Sequence, residues 1–407
     1  MLSGRRGISR NVFLLGLVSL LGDVSSEMVV PLLPAFLVAL GGGAEALGVV
    51  EGAAEATASL FKYLSGRWAD RARRLLPMAT FGYALAAAVR PLLALAQSPW
   101  HVLAVRCVDR VGKGIRTSPR DKLLAASAEP ERLAEAYSFH RGMDHLGAAV
   151  GPLIATALLL LWPGQLRLVF ALAALPGALA VALLFAVRET PTSNEGGSAG
   201  GATTYSAAPA LARGRQTPTS THALARRPPA GLLASIFLFT LGNSTDALLL
   251  LRAQGLGVPT ALLPVLWTEL HVVRAATSWP LGRLADRLGR RASLGAGWGL
   301  YAVCYLGFAA AAAPWQAWAL FAAYGLVAGL TEGTERALVA SSVPQDRRGR
   351  ALGLYNLVSG FGLLAASVLA GELWDKVSPA AALGLGAALA AAAAVVLLAR
   401  PGAPQPA

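Results

Sequence analysis

Residues 280–291 read PLGRLADRLGRR and residues 65–74 read SGRWADRARR. Each stretch closes a long apolar run, and Gly66 and Gly282 stand 216 residues apart. A second pair of phrases agrees with this register: LGDVSSE at 21–27 and LGNSTDA at 241–247, offset by 220 residues. One such match is a coincidence of composition. Two, at nearly the same offset, describe a chain built twice over.

The 407 residues are 55% hydrophobic and 14% charged, against roughly 25% charged in a soluble domain. Mean hydropathy is +0.55. Apolar runs recur at roughly 11–38, 46–66, 76–96, 100–124, 138–161, 165–187, 231–252, 258–280, 293–313, 316–340, 351–374 and 378–399. Each is near the ~20 residues that a bilayer-crossing helix needs. The reading is an all-α membrane protein with twelve transmembrane helices in two six-helix pseudo-repeats. Residues 1–187 and 231–407 form the halves. Residues 188–230, rich in Gly, Ser, Thr, Ala and Pro, read as a flexible linker that buries no core.

The net charge of +13 does not describe a nucleic-acid binder. The arginines gather in alternate short loops, for example Arg67, Arg71, Arg73 and Arg74 after the second run and Arg287, Arg290 and Arg291 after the eighth. The positive-inside rule places those loops, and both termini, in the cytoplasm, with the chain in a bacterial inner membrane. The first run follows a basic N-terminus but is too long for a signal peptide and lacks a cleavage site, so it is expected to stay as a helix. Cys107 and Cys304 lie inside apolar runs and read as packing residues. No phosphate-binding G-x-x-x-x-G-K-[ST] loop and no nucleophile elbow occurs, which points away from an enzyme and from any cofactor.

The loop phrase resembles the signature of the major facilitator superfamily, G-x-x-x-D-R-x-G-R-R. Gly282, Asp286, Arg287, Gly289, Arg290 and Arg291 match it fully; Gly66, Asp70, Arg71, Arg73 and Arg74 match the first copy, with the glycine displaced. The resemblance covers nearly the whole chain. It implies a secondary transporter of parallel six-helix repeats. It also implies a gating role for both motif copies, with Asp70 facing the start of the eleventh span near Ala351 and Asp286 facing the start of the fifth, where a helix dipole favours a carboxylate. Gly147-Ala-Ala-Val-Gly151-Pro152 resembles the G-x-x-x-G-P motif of proton-driven exporters, whose small residues let helices approach closely. Pro31-Leu-Leu-Pro34 resembles a motif of twelve-span drug exporters. The phrases SSEMVVPLLP and DRVGKGIRTSPRD resemble a bacterial exporter subgroup, some members of which serve metal tolerance through a His-rich tail. This chain has no such tail.

Charges inside the runs are the candidate machinery, because each costs about 2.5–3.5 kcal/mol at mid-membrane. Asp23 and Glu27 are four apart and share a face. Glu51, Glu55 and Lys62 share another, and Arg106, Asp109, Arg110, Lys113 and Arg116 a third. Arg106 matches the fourth-span arginine that the resemblance ties to proton transfer, and Asp109 offers Arg106 or Arg110 a local partner. One lysine does not neutralise Asp23, Glu27, Glu51 and Glu55; either Arg90 and Arg106 reach them or some stay protonated, because burial disfavours the charged form. Arg90 or Arg106 is the expected holder of whichever first-span carboxylate is ionised. Asp144, with His140 and His145 beside it, and Asp246 and Glu269 complete the set for substrate and protons; no metal site is assigned. The expectation is a monomer in the lipid bilayer that exchanges protons for a small exported solute, with Asp23, Glu27 and Asp246 facing a central cavity. Proton-coupled uptake, export of a transition-metal ion or chelate, and a non-transporting receptor are the alternatives.

Overall fold

In hydrocarbon, backbone N–H and C=O groups have no water to bond, so a spanning chain must satisfy them within itself. The computed structural model describes residues 9–128, 133–189, 229–343 and 348–399, and these contain helices and no β-strand. They form twelve rods, the number expected. The predicted linker lies almost wholly outside the described residues.

The first rod begins at Ser9, whose hydroxyl accepts from Val12 N and caps α1 (Arg10–Glu27). Pro31 lacks an N–H and clashes with the preceding turn, so a 3-10 turn over Val30–Leu32 separates α1 from α2 (Leu33–Ala39). The second rod is α3 (Ala44–Arg71), and the third is α4 (Leu76–Val89), prolonged by a 3-10 stretch that starts at Arg90-Pro91. Then come α5 (Pro99–Ala126), α6 (Leu133–Leu161), and the sixth rod, α7 (Leu166–Leu172) with α8 (Ala174–Leu184).

The second half repeats the plan. Its first rod is also broken, between α9 (Ala230–Gly242) and α10 (Ala247–Gly255), at the residues Asn243–Asp246 that align with the first-span phrase. It continues with α11 (Leu263–Leu288), α12 (Arg290–Ala310), α13 (Pro314–Ser341), α14 (Arg348–Lys376) and α15 (Pro379–Ala399).

Among the described residues, eight rods are long and apolar enough to cross a membrane on composition alone. The four that are not are α3, α5, α11 and α13, the rods that carry most of the internal charge.

Both halves end on one face, here the linker face. Across the halves α3 packs on α14, α6 on α11, and α2 on α10. The α3–α14 contact is backbone-close: a Cβ at Gly52 would stand 2.9 Å from Leu364 Cα. Toward the opposite face one apolar cluster draws from both halves, joining Met28, Phe36, Leu37 and Leu47 to Ala247, Leu248 and Ala370. Toward the linker face the corresponding cluster, around Leu15, Tyr83 and Leu184, draws on the first half alone. The halves are therefore sealed together at the opposite face.

One polar contact completes that seal. Asp375, near the end of α14, accepts from Ala44 N at 3.0 Å and Glu45 N at 2.8 Å, and so terminates α3 with a carboxylate from the other half. A negative charge at a helix N-terminus contributes about 0.3–1 kcal/mol at an exposed site and is screened by salt. Asp375→Asn should lower the melting temperature of the purified protein slightly at low ionic strength, with the difference from wild type shrinking as salt is added. A difference independent of salt would show that the dipole contact is not its source.

Candidate functional site

The first half holds a chain of buried charges. Arg106 of α5 is 2% exposed and closes a two-pronged bond on Glu51 of α3, with Nε to Oε1 and NH2 to Oε2 both at 2.9 Å. Its NH1 lies 3.6 Å from Asp109 Oδ2. Asp109 takes its strongest bond from Arg90 NH2 at 2.7 Å. Arg90 NH1 donates to Ser25 Oγ at 2.5 Å, and Ser25 donates to the Ala173 carbonyl at 2.6 Å. One line of bonds thus ties the second, fourth, third, first and sixth spans. Forked guanidinium–carboxylate geometry gives both energy and orientation.

Two further pairs flank it. Arg116 approaches Asp23 at 3.8 Å and lies over the Tyr83 ring, 4.1 Å from its centroid. Lys62 pairs with Glu55 at 3.4 Å.

Asp23 and Glu27 sit one turn apart on α1, and the fifth span meets them with glycines at the same spacing. A Cβ at Gly147 would lie 2.5 Å from Leu20 O and 3.0 Å from Asp23 Cβ; one at Gly151 would lie 2.7 Å from Val24 O and 3.1 Å from Glu27 Cβ. The G-x-x-x-G-P glycines, followed by Pro152 inside α6, are the seat of the turn that bears both carboxylates. Glu27 itself reaches across the halves: Oε2 accepts from Trp267 Nε1 of α11 at 2.7 Å.

Asp144 belongs to a neighbouring cluster nearer the linker face. Oδ1 accepts from Ser19 Oγ at 2.5 Å, and Oδ2 lies 3.5 Å from His140 Nδ1 and 3.7 Å from Arg141 NH1. His145 is exposed and makes no ion pair among the described residues.

In the second half, Asp246 stands at the break between α9 and α10. It accepts from Arg274 NH2 at 2.8 Å and Tyr324 OH at 2.7 Å. These residues line a cavity of about 220 Å³ that also takes in Tyr301, Glu332, Glu335 and Arg336. Glu335 is buried between two neutral donors, Trp298 Nε1 at 3.1 Å and Tyr355 OH at 2.7 Å.

Several expectations change. Arg106 takes Glu51 as its main partner, with Asp109 second, because its fork fits a carboxylate facing it from the next helix better than one three residues along its own. Arg90 goes to Asp109, and neither it nor Arg106 holds the first-span carboxylates; Arg116 and Trp267 do. Glu269 shares a stripe of α11 with the exposed Val272 and Ala276 and makes no ion pair among the described residues, so it stands apart from Asp246 and Arg274.

The signature loops are placed only in part. Asp70 pairs with Lys122 of its own half instead of meeting the described start of the eleventh span, and Arg71 ends α3. A Cβ at Gly66 would meet only Ser118 Oγ, at 3.6 Å. Arg287 is exposed in the last turn of α11. Gly282 and Asp286 lie in the same helix, and their side chains are outside the described set. Trp267, Ser25 and Tyr324 are partners that sequence reasoning missed: an indole, a serine or a tyrosine in an apolar run carries no mark of the charge it will face.

A family model described as Major Facilitator Superfamily matches residues 15–268 and 266–407. An uncharacterized MFS-type transporter of Methanocaldococcus jannaschii is 31% identical over 402 residues, covering 97% of this chain and 95% of the relative. Among solved structures, a variant of the nucleoside transporter NupG aligns with a TM-score of 0.74 at 14% identity, covering 96% of this chain and 99% of that one. A bacterial homolog of the human lysosomal transporter Spinster, inward-facing and unoccupied, aligns with a TM-score of 0.68 at 15% identity over 98% and 96% of the two chains.

Breaking a buried ion pair at one end leaves an uncompensated charge and costs about 3–5 kcal/mol. Glu51→Gln should therefore depress the melting temperature strongly, whereas Glu51→Gln with Arg106→Gln should recover much of the loss. A double variant no more stable than the single one would show that the fork is not the interaction at stake.

Proposed function

We propose, for a chain that belongs to the major facilitator superfamily and is a secondary transporter, proton-coupled export of a small solute by alternating access. The observation that carries the proposal is the Glu27–Trp267 bond, which joins a first-span carboxylate to the opposite half just inside the sealed face. A carboxylate that is also a contact between moving bodies links protonation to their movement. Protonating Glu27 removes the charge that strengthens the bond and so favours separation of the first and eighth spans. A proton bound in one state and released in the other is the coupling that antiport requires.

Asp23 lies one turn closer to the linker face with Arg116 as its partner, so the two carboxylates sit at successive depths of one path. The export direction draws support from Gly147 and Gly151, since the exporter-like motif packs directly against the turn carrying both groups. In this reading residues 1–187 and 231–407 rock as two bodies about the central cavity, joined by 188–230. The cationic loops support a cytoplasmic linker face, in a protein that works as a monomer in a bacterial inner membrane. Asp70 and Asp286 then serve the alternate, inward-closed state, in which Asp70 exchanges Lys122 for the eleventh helix.

In everted vesicles carrying an imposed pH gradient, candidate solutes that collapse the gradient with wild type should fail to do so with Glu27→Gln. Trp267→Phe keeps the ring and loses the N–H, and should shift the pH of half-maximal flux without abolishing it. A protein with both Asp23→Asn and Glu27→Gln that still accumulates solute uphill, with the wild-type pH profile, would sink the proposal. A reporter inserted within 195–225 should report cytoplasm, and one near Gly42 or Pro314 the periplasm; the reverse pattern would overturn the direction of export.

A further inference from the structure

Among the described residues, the ion pairs inside the second and fourth spans leave two cations over, both on α5. Among the described residues, Asp109 is taken by Arg90, Glu51 by Arg106, Asp23 by Arg116 and Glu55 by Lys62. Glu27 is bonded to the neutral indole of Trp267. Arg110 and Lys113, one turn apart on α5, make no side-chain hydrogen bond or ion pair with any described residue. Arg110 is only 8% exposed, and its Nε is buried without a partner. The carboxylates acting on it most strongly are Glu55 and Glu51, which already hold other cations.

The two side chains also point one way. On α5, Gly112 meets the third span, where a Cβ would be 2.7 Å from Gly82 O, and Gly114 meets the second span at Phe61. At 100° per residue, Arg110 and Lys113 leave the helix between those two contacts, on the same face as Arg106. The carboxylates around Arg110 favour its charge from a distance, yet among the described residues none closes a bond on its guanidinium, which leaves its donors for another oxyanion. Arg106, two positions away in the stripe, shows how readily the fold supplies a carboxylate where one is needed.

We propose that Arg110 and Lys113 bind the anionic group, carboxylate or phosphate, of the solute that the protein carries. Arg110 supplies a planar fork that fits two oxygens at once, and Lys113 supplies a mobile point charge that adapts to the size of the anion. The word solute rests on the transport reading; the binding itself does not. The inference narrows the substrate to an organic anion, or to a zwitterion that presents its anionic end to the fourth span.

The test uses the full chain purified in detergent and three probes that share a ring and differ in charge: benzoate, phenyl phosphate and benzylammonium. Each is titrated while the melting temperature is followed. One or both anions should stabilise wild type in a saturable way, and benzylammonium should not; the anion that responds identifies the oxyanion preferred. Arg110→Gln should weaken the apparent affinity about tenfold or more, as expected for a lost charged hydrogen bond. Lys113→Gln should weaken it less, and Arg10→Gln, at the exposed start of α1, should leave it unchanged. Should Arg110→Gln fail to accumulate, Arg110→Lys with Lys113→Gln tests the same point while keeping one charge. The inference falls if neither anion stabilises wild type, if benzylammonium does so alone, or if the Arg110 and Lys113 variants respond to the anion as wild type does. A wild type that couples flux to protons yet ignores both anions keeps the transport proposal and loses this one. Anion binding lost in the variants, from a protein that moves no solute in vesicles, has the opposite meaning.

Discussion

A guanidinium and a carboxylate buried together in the middle of a membrane fix two helices at one depth, because removing either leaves the other's charge without its partner. The Arg106–Glu51 fork sets this constraint for the first half. Neither group can be withdrawn without stranding the other, so α3 and α5 must lie side by side at that depth. Asp109 then fixes Arg90, Arg90 fixes Ser25, and Ser25 fixes the sixth span at Ala173. Apolar contacts tolerate sliding by a fraction of a turn. Directional bonds in low dielectric do not, and they set the register of five helices.

The second half is built to a different balance. Its core is aromatic, with Phe239 stacked on Trp298 at 4.8 Å and Tyr301 on Tyr305 at 4.1 Å between ring centroids. Among the described residues its buried ion pair, Asp246 with Arg274, stands on the cavity wall that Glu335 also lines. The common element is the broken leading rod of each half. At Val30–Leu32 and at Asn243–Asp246 the helix stops and restarts, and each break places a carboxylate, Glu27 or Asp246, beside the seam between helices. Interrupted helices of this kind put polar groups where a continuous helix would present only a side-chain stripe.

The amino-acid sequence made the rods legible, because runs of about twenty apolar residues have few other uses. It made the repeat legible through the paired loops, and Asp246 as a candidate through being a carboxylate inside an apolar run. Even the four charged rods could be read, since their charges recur at spacings of three and four and leave the rest of the helix apolar. Partners on one helix were legible, as Asp109 for Arg106 and Lys62 for Glu55; most partners across helices were not. A stripe states which face of a helix is polar and is silent on which helix lies opposite. Glu27 finds its donor 240 residues away, on a tryptophan with no charge to mark it. Arg110 looked like one more member of a self-satisfied stripe, and only the arrangement of its neighbours shows that the described carboxylates around it have other partners.

The charge carried by α5 has a consequence for how the chain is made. A helix bearing Arg106, Asp109, Arg110, Lys113 and Arg116 does not partition into lipid by itself, at a few kcal/mol per charge. Its partners, however, are all upstream: Asp23 in α1, Glu51 in α3 and Arg90 at the end of α4. During synthesis each has left the ribosome before α5 does. The second half repeats the order, with Asp246 emerging ahead of Arg274. The fourth and eighth spans are thus arranged to enter the bilayer against helices already waiting there, and the order of residues along the chain doubles as an assembly sequence in which the partners of a charged span are laid down before it.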